Sequence, residues 1–404
     1  MKKYSIFLLF VLISIICSGQ ALNVGSAVTK VNVVHVLNGK KETIPLESLK
    51  GKVVILDFWA TWCSPCVEAL NQFEIYQKQF KDQLVVLAVS DENKDRLSLF
   101  LHNRPSTLLI SSDTGRSLHK HFPHRTIPHT ILIGPDGRVN AITDAKNITA
   151  SVIQLLLKGK PVNLKLKNDN TDFSIETYFK ADTSLLETFT MLPPAEGVGT
   201  MSKVYSDGFF GGRRMTMVNM PMEGLYRLAF NKTYSLLVNE YDSVKHSYEN
   251  QKKYCVDFWV STDQKENLLE YFRNKLKEQF ADVQAVLEKR KRKVLVIRAD
   301  SSAIYKLKPT DKVNDKFSAG GGHFDGDGVS LKALAEYIED FGLFNGKVID
   351  ETGISGRYSI FFEWQPEKKE SLKTAFANLG LYWQIAEREV EVLVLKRKTS
   401  LQFK

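Results

Sequence analysis

Two cysteines separated by two residues, in Trp62-Cys63-Ser64-Pro65-Cys66, form the grouping in this chain best suited to chemistry. They follow an apolar run, Val53–Trp59, and precede a stretch with helical spacing, Val67–Phe80, whose apolar positions are Val67, Leu70, Phe73, Ile75 and Tyr76. A helix N-terminus offers unpaired N–H groups and a partial positive charge, which favour thiolate over thiol. In such a motif the first cysteine's pKa moves from ~8.5 toward ~7 or below. The expected chemistry is thiol–disulfide exchange, with Cys63 attacking a substrate disulfide and Cys66 resolving the mixed disulfide from one helical turn away. A structural disulfide and half a zinc site are the competing uses of the pair. Structural zinc needs four ligands and no second Cys-x-x-Cys occurs, so no metal is expected.

Asp57 lies six residues before Cys63, in Leu56-Asp57-Phe58-Trp59-Ala60. A carboxylate in an apolar strand is costly unless paired or kept protonated. Beneath a dithiol it would take the Cys66 proton during resolution. A solvent-facing Asp on an edge strand is the alternative, and the apolar neighbours argue against it. His119, His121 and His124 straddle a helix end and Pro123, which suits solvated histidines better than metal ligands. Cys255 reads as a buried thiol of a core strand, with a mixed disulfide to a partner as the rarer use.

These residues need positioning elements. Strands are expected at Val53–Trp59, Leu84–Ser90 and Ile127–Ile133, and helices at Val67–Phe80 and Arg116–Phe122. Gly134-Pro135-Asp136-Gly137 is a turn, and Arg138–Ile142 is the returning strand. Alternating β and α elements define an α/β domain. The boundary falls in Lys158–Asn170, which is rich in Lys and Asn.

Residues 171–404 contain a weak repeat. Gly211-Gly212 before apolar Met220–Phe230 echoes Gly320-Gly321-Gly322 before Val329–Phe341. Strands Tyr254–Trp259 and Tyr358–Trp364 are each followed by a helical stretch, Asn267–Phe280 and Lys369–Leu379. Each half then closes on a strand, Lys293–Arg298 or Val392–Arg397. The period is too long for a solenoid and fits a duplicated α+β unit. Asp325 and Asp327 lack the full calcium-loop pattern, and Gly320–Gly328 is expected to be a hairpin turn.

The chain has 404 residues, 55 Lys+Arg against 46 Asp+Glu for a net charge of +9, and is 43% hydrophobic. Collagen-like, disordered and disulfide-dense classes are thereby excluded, and the length suits two or three domains. The basic excess is small and dispersed, and the chain lacks a nucleic-acid module, a Walker loop and a Rossmann fingerprint. Met1-Lys2-Lys3, apolar Ile6–Cys17 and Ser18-Gly19-Gln20-Ala21 have the form of a secretory signal over residues 1–20. The apolar run is shorter than the ~20 residues of a spanning helix. Acylation at Cys17 ranks second, because Ile16 before it is not small, and an uncleaved anchor third. Export implies an oxidising compartment, in which free thiols need a reducing partner.

Val54-Ile55-Leu56-Asp57-Phe58-Trp59-Ala60-Thr61-Trp62-Cys63-Ser64-Pro65-Cys66 resembles a thioredoxin-fold active site. With Leu49–Val54 and Leu132–Val139, the stretch 22–158 resembles the exported TlpA/ResA-like thiol–disulfide oxidoreductases. The resemblance implies a cis peptide at Ile127-Pro128 facing the dithiol. Substrate chains would then dock against Trp62, Ile127, Pro128 and His129, and His129 would be held close to the thiols. It also implies protein disulfide or thiol substrates, the reducing direction, a membrane thiol-transfer protein as electron donor, and no cofactor. Asp57, Ala69 and Asn71 depart from the pattern common in that branch, where Asn, Glu and Pro are frequent, and this leaves the substrate open.

Val348–Tyr358, Leu379-Gly380-Leu381 and Val390–Val394 resemble a soil-associated bacterial domain of unknown function. The expected architecture is an α/β thioredoxin-like domain (22–158), a linker (159–170) and an α+β domain with an internal duplication (171–404). The expected function is a protein thiol–disulfide oxidoreductase of the periplasm or cell envelope. The rival is an envelope binding or sensor protein whose dithiol locks its C-terminal domain.

Overall fold

The computed structural model describes residues 21–241, 251–313, 317–320, 322–340, 344, 346–368 and 370–398. The signal at residues 1–20, the alternative at Cys17, and the expectations touching Gly321, Phe341 and Lys369 lie outside the described residues. The chain forms two compact units, the main body of the first ending at Lys167 and that of the second beginning at Asn168.

In the first unit β1 (Asn32–Val33) and β2 (Ile44–Pro45) pair as a short antiparallel ribbon. Then come β3 (Val53–Phe58), α1 (Ser64–Phe80), β4 (Leu84–Ser90), α2 (Lys94–Asn103), β5 (Leu109–Ser112), β6 (His129–Ile133), β7 (Val139–Thr143) and α3 (Ala150–Leu157). The five-stranded sheet has the order β5-β4-β3-β6-β7. β4 runs parallel to β3, and β6 antiparallel to it. β3 is central and buried at all six positions, which explains its unbroken apolar run. Val54, Leu56, Phe58, Leu87, Val89, Ile131 and Ile133 share one core cluster.

α1 begins three residues earlier than its apolar spacing indicates, because Ser64 and Pro65 serve as its first turn, where proline is tolerated. The helix expected over Arg116–Phe122 is only a 3₁₀ turn, Leu118–Lys120, confined between Arg116 at φ 51° and Pro123. The strand expected from Ile127 starts at His129, since Pro128 has no N–H to give the ladder. The returning strand runs Val139–Thr143, one residue later than expected.

The second unit opens with α4 (Ile175–Tyr178), β8 (Thr188–Leu192), β9 (Met201–Val204), β10 (Arg214–Pro221), α5 (Met222–Ala229) and β11 (Leu237–Asn239). It continues with β12 (Lys253–Trp259), α6 (Leu268–Gln279), β13 (Val283–Ala299), α7 (Ala303–Lys306), β14 (Lys308–Pro309), β15 (Ser318–Gly320) and β16 (His323–Val329). α8 (Leu331–Asp340), β17 (Val348–Asp350), β18 (Tyr358–Glu363), α9 (Glu370–Asn378) and β19 (Leu381–Arg397) complete it. Among the described residues these strands form three four-stranded sheets, in the orders β8-β12-β10-β9, β14-β18-β16-β15 and β11-β19-β13-β17.

β13 and β19 pair antiparallel along their full 17-residue lengths. One end of this ribbon adds β11 and the other adds β17, both in parallel. The Val283–Ala285 end packs in a core with α5 and α6, and the Leu295–Ala299 end in one with α8 and α9. The succession β-α-β-β-α-β thus occurs at β10-α5-β11-β12-α6-β13 and again at β16-α8-β17-β18-α9-β19. Buried Glu339 on α8 ties the two halves, accepting from Ser235 Oγ at 2.7 Å, from Thr233 and from Val348 N at 3.1 Å, and pairing with Lys347. The Gly320–Gly328 turn is shorter than expected. Gly320 and His323 are already opposite each other in the β15–β16 ladder, so most of that segment is strand.

Candidate active site

The site is built where β3 feeds α1. Trp59 continues the sheet by donating its N–H to Val89 O at 3.0 Å, and α1 then opens at Ser64. Cys63 therefore stands at the helix N-terminal edge and Cys66 in its first turn, where the helix dipole and free N–H groups favour a thiolate. Both cysteines are buried and disulfide-bonded, and Cys255 is the free cysteine among the described residues. Trp62, beside them, is 58% exposed.

Asp57 is fully buried, as its apolar neighbours require. Burial pushes its pKa up to about 7, against the counter-pull of a hydrogen bond from Thr130 and the charge of Lys167. Thr130 Oγ1 donates to Asp57 Oδ1 at 2.5 Å. The β3–β6 register sets Asp57 opposite Thr130 and Phe58 opposite His129. A carboxyl balanced near neutrality suits proton transfer at ordinary pH.

The Ile127–Pro128 bond is cis, and the buried His129 follows it as the first residue of β6. His129 stacks on His124 with ring centroids 4.6 Å apart, and His124 in turn meets His119 edge-on at 4.6 Å and Phe58 at 4.5 Å. His119, His121 and His124 are half-buried, and His119 and His124 belong to a ring array, which corrects the expectation that the three are solvated. The loop delivers the His124 ring to Phe58, a placement invisible in the spacing of the histidines. Burial, followed by the nearby Arg116 charge, lowers the pKa of His119. Among the described residues no three His, Cys, Asp or Glu side chains form a metal-binding group.

The sequence did not single out Lys167, whose Nζ donates to Thr126 O at 2.5 Å and Pro128 O at 3.1 Å and lies 3.4 Å from His129 Nδ1. No local pattern marks it, since its partners are about 40 residues away along the chain. In the second unit Cys255 is fully buried on β12, with the Asn219 N–H 3.5 Å from its sulfur. Asp327 pairs with Lys312 and accepts from Ser359 Oγ at 2.5 Å, which accounts for this carboxylate without calcium.

Residues 24–142 match the AhpC/TSA family, and residues 239–397 match a protein family of unknown function, DUF3738. The chain thus carries a thioredoxin-like domain with a Cys-x-x-Cys pair, similar to thiol–disulfide oxidoreductases, joined to a DUF3738 domain. It is 36% identical over 104 residues to the thiol-disulfide oxidoreductase ResA of Bacillus subtilis, covering 25% of this chain and 57% of that protein. It is 30% identical over 110 residues to the thioredoxin-like protein YneN of the same organism, covering 26% and 63%. The chain spans about three fifths of the length of these curated relatives. Among solved structures, a thiol:disulfide interchange protein DsbE from Chlorobium tepidum aligns at 23% identity and a TM-score of 0.29, covering 34% of this chain and 95% of that one.

Proposed function

We propose that the protein is an exported disulfide reductase that passes electrons from the Cys63–Cys66 dithiol to disulfides of other proteins. The observation that carries this reading is the buried pair at the start of α1, directly after the strand that bears a carboxyl whose pKa burial pushes up to about 7. In the reduced enzyme the Cys63 thiolate attacks one sulfur of a substrate disulfide. That S–S bond breaks, one substrate sulfur leaves as a thiolate, and a mixed disulfide forms. Asp57 then accepts the Cys66 proton, and the Cys66 thiolate attacks Cys63 Sγ and expels the second substrate sulfur. The substrate gains two electrons and leaves as two thiolates, which take up the proton held by Asp57 and one from solvent, and the enzyme is left with the Cys63–Cys66 disulfide.

A dithiol donor must restore the enzyme by the reverse exchange. Outside the cytoplasm this calls for a membrane thiol-transfer protein, and the form of residues 1–20 supports a location in the periplasm or cell envelope. Trp62, Ile127, Pro128 and His129 are assigned to substrate docking. The second unit, read as a duplicated α+β domain, is assigned to binding a partner or holding a substrate.

The test is the reduction potential of the pair, combined with trapping by Cys66→Ala. A potential near ~−270 mV supports a reductase, and one near ~−120 mV makes the enzyme an oxidant of exported thiols. Many client proteins trapped through Cys63 support catalysis. A pair that does not cycle, or one captured partner with a redox-dependent change beyond Asn170, favours the sensor reading instead.

A further inference from the structure

Beyond α3 the chain runs back along β7, the edge strand of the first sheet. Lys167 N–H donates to Ile142 O at 2.8 Å, and Thr143 Oγ1 donates to Lys165 O at 2.6 Å. This anchoring fixes the backbone from which the Lys167 side chain reaches Thr126 O, Pro128 O and the His129 ring. One ammonium thus engages two carbonyls on either side of Ile127 and places its charge beside the strand that contacts Asp57. Lysine has three donors and no acceptor, so two of its protons are committed to that loop.

The ionisable groups around Asp57 are few. β4 and α3, which touch β3, carry none. β6 supplies His129, which stacks on His124 of the preceding loop. α1 supplies Cys66, Glu68, Glu74, Tyr76 and Lys78. Glu68 and Lys78 are exposed, Glu74 is held by Ser106 and Thr107, and Tyr76 donates to Ile148 O. Lys167 is the group whose charge acts on the Asp57 carboxyl.

We propose that Lys167 is a positioning residue of the redox site, clamping the Thr126–His129 loop through its two carbonyls and setting a fixed cation beside the strand that pairs with Asp57. The proposal rests on the oxidoreductase reading, in which Asp57 must accept a proton from Cys66. Burial alone would hold the carboxyl protonated through neutral pH, where it is useless as a base. The Thr130 hydrogen bond and, after it, the Lys167 charge draw the carboxyl back toward ionisation.

The experiment is a ¹³C NMR titration of the full chain labelled at aspartate carboxyls, with the Asp57 signal assigned by its loss in Asp57→Asn. Wild type, Lys167→Met, Lys167→Arg and the neighbouring Lys165→Met are compared in the oxidised state. The Asp57 midpoint is expected to rise in Lys167→Met, to stay near wild type in Lys167→Arg and to be unchanged in Lys165→Met. Should Lys167→Met fail to fold, Lys167→Gln, whose amide still donates to the carbonyls, replaces it. An unchanged midpoint in the neutral variant overturns the proposal, as does an equal shift in Lys167→Arg, which would make the effect one of packing. The pH profile of disulfide reduction is read in parallel. If wild type reduces no disulfide, the oxidoreductase reading falls, and the titration still decides the role of Lys167.

Discussion

Thr130 Oγ1 donates a 2.5 Å hydrogen bond to Asp57 Oδ1 across the β3–β6 ladder, and both residues are fully buried. One strand thus carries the carboxyl and its antiparallel neighbour carries the donor that favours its ionised form. β6 also starts directly after Pro128, so the same strand sets the histidine-bearing loop and the carboxyl's partner. Burial pushes Asp57 up, while Thr130 and Lys167 pull it down, and the balance stands at about 7.

Stability should report this balance. The folded pKa of Asp57, about 7, is raised above its ordinary value of 3.8. Between these values the unfolded chain has released the proton that the folded protein keeps, so stability falls as pH rises. A separation of that size corresponds to roughly 4 kcal/mol, fully expressed above pH 7. Asp57→Asn should therefore melt close to wild type near pH 4 and well above it at pH 8. Chemical denaturation of the oxidised forms at the two pH values checks this, and parallel curves would refute the buried, protonated carboxyl.

Thr130→Val removes the donor and keeps the shape. A hydrogen bond to a charged group contributes about 1.5–3 kcal/mol, so the Asp57 midpoint should rise by roughly one to two pH units. The limb of the rate profile that depends on Asp57 ionisation should move up with it, and the rate above the new midpoint should be retained. A uniform loss of rate at every pH would instead point to damaged packing.

What was legible in the sequence had local causes. Val53–Trp59 reads as a strand because each residue of β3 is buried, and the dithiol announces the helix start by its own chemistry. Asp57 stood out because a carboxylate is anomalous in such a run. α2, β5 and α3 were not singled out, being short, although Thr149 caps α3 and Gly159 follows it. β13 and β19 were recognised only in their apolar C-terminal parts, since an alternation such as Glu288-Lys289-Arg290-Lys291 reads as solvated chain. Pairing resolves it: Lys289, Lys291 and Lys293 lie opposite Glu391, Glu389 and Glu387, giving the ribbon its own cross-strand charge match. Lys167 and the histidine array depend wholly on long-range placement.

The second unit holds a buried ion pair. Arg214 Nε is 2.9 Å from Asp257 Oδ1 and its second nitrogen 3.1 Å from Oδ2, with Phe179 O as a further acceptor. Burial raises the Asp257 pKa and the arginine lowers it. Arg214→Met strands the carboxylate and should cost about 3–5 kcal/mol. The loss should deepen above pH 4, because a raised folded pKa makes stability fall as pH rises. Replacing both residues, as Arg214→Met with Asp257→Leu, should recover most of it. Denaturant midpoints of the three proteins decide the matter, and a double variant no better than the single would show that Asp257 has other essential partners.

Trp62 stands beside two buried cysteines with 58% of its surface exposed. A large aromatic left in water next to a reactive pair gains most when a partner surface covers it, and such residues are enriched among those that dominate binding. Removing the indole should therefore weaken docking and leave the dithiol's own chemistry alone. A loss of about 1–2 kcal/mol corresponds to roughly 5–30-fold in kcat/KM. Trp62→Ala should show that loss with a folded protein disulfide as substrate, while its rate with oxidised glutathione and its reduction potential stay at wild-type values. An equal loss with both substrates would mean that the tryptophan shapes the thiols, and no loss with either would remove it from the docking surface.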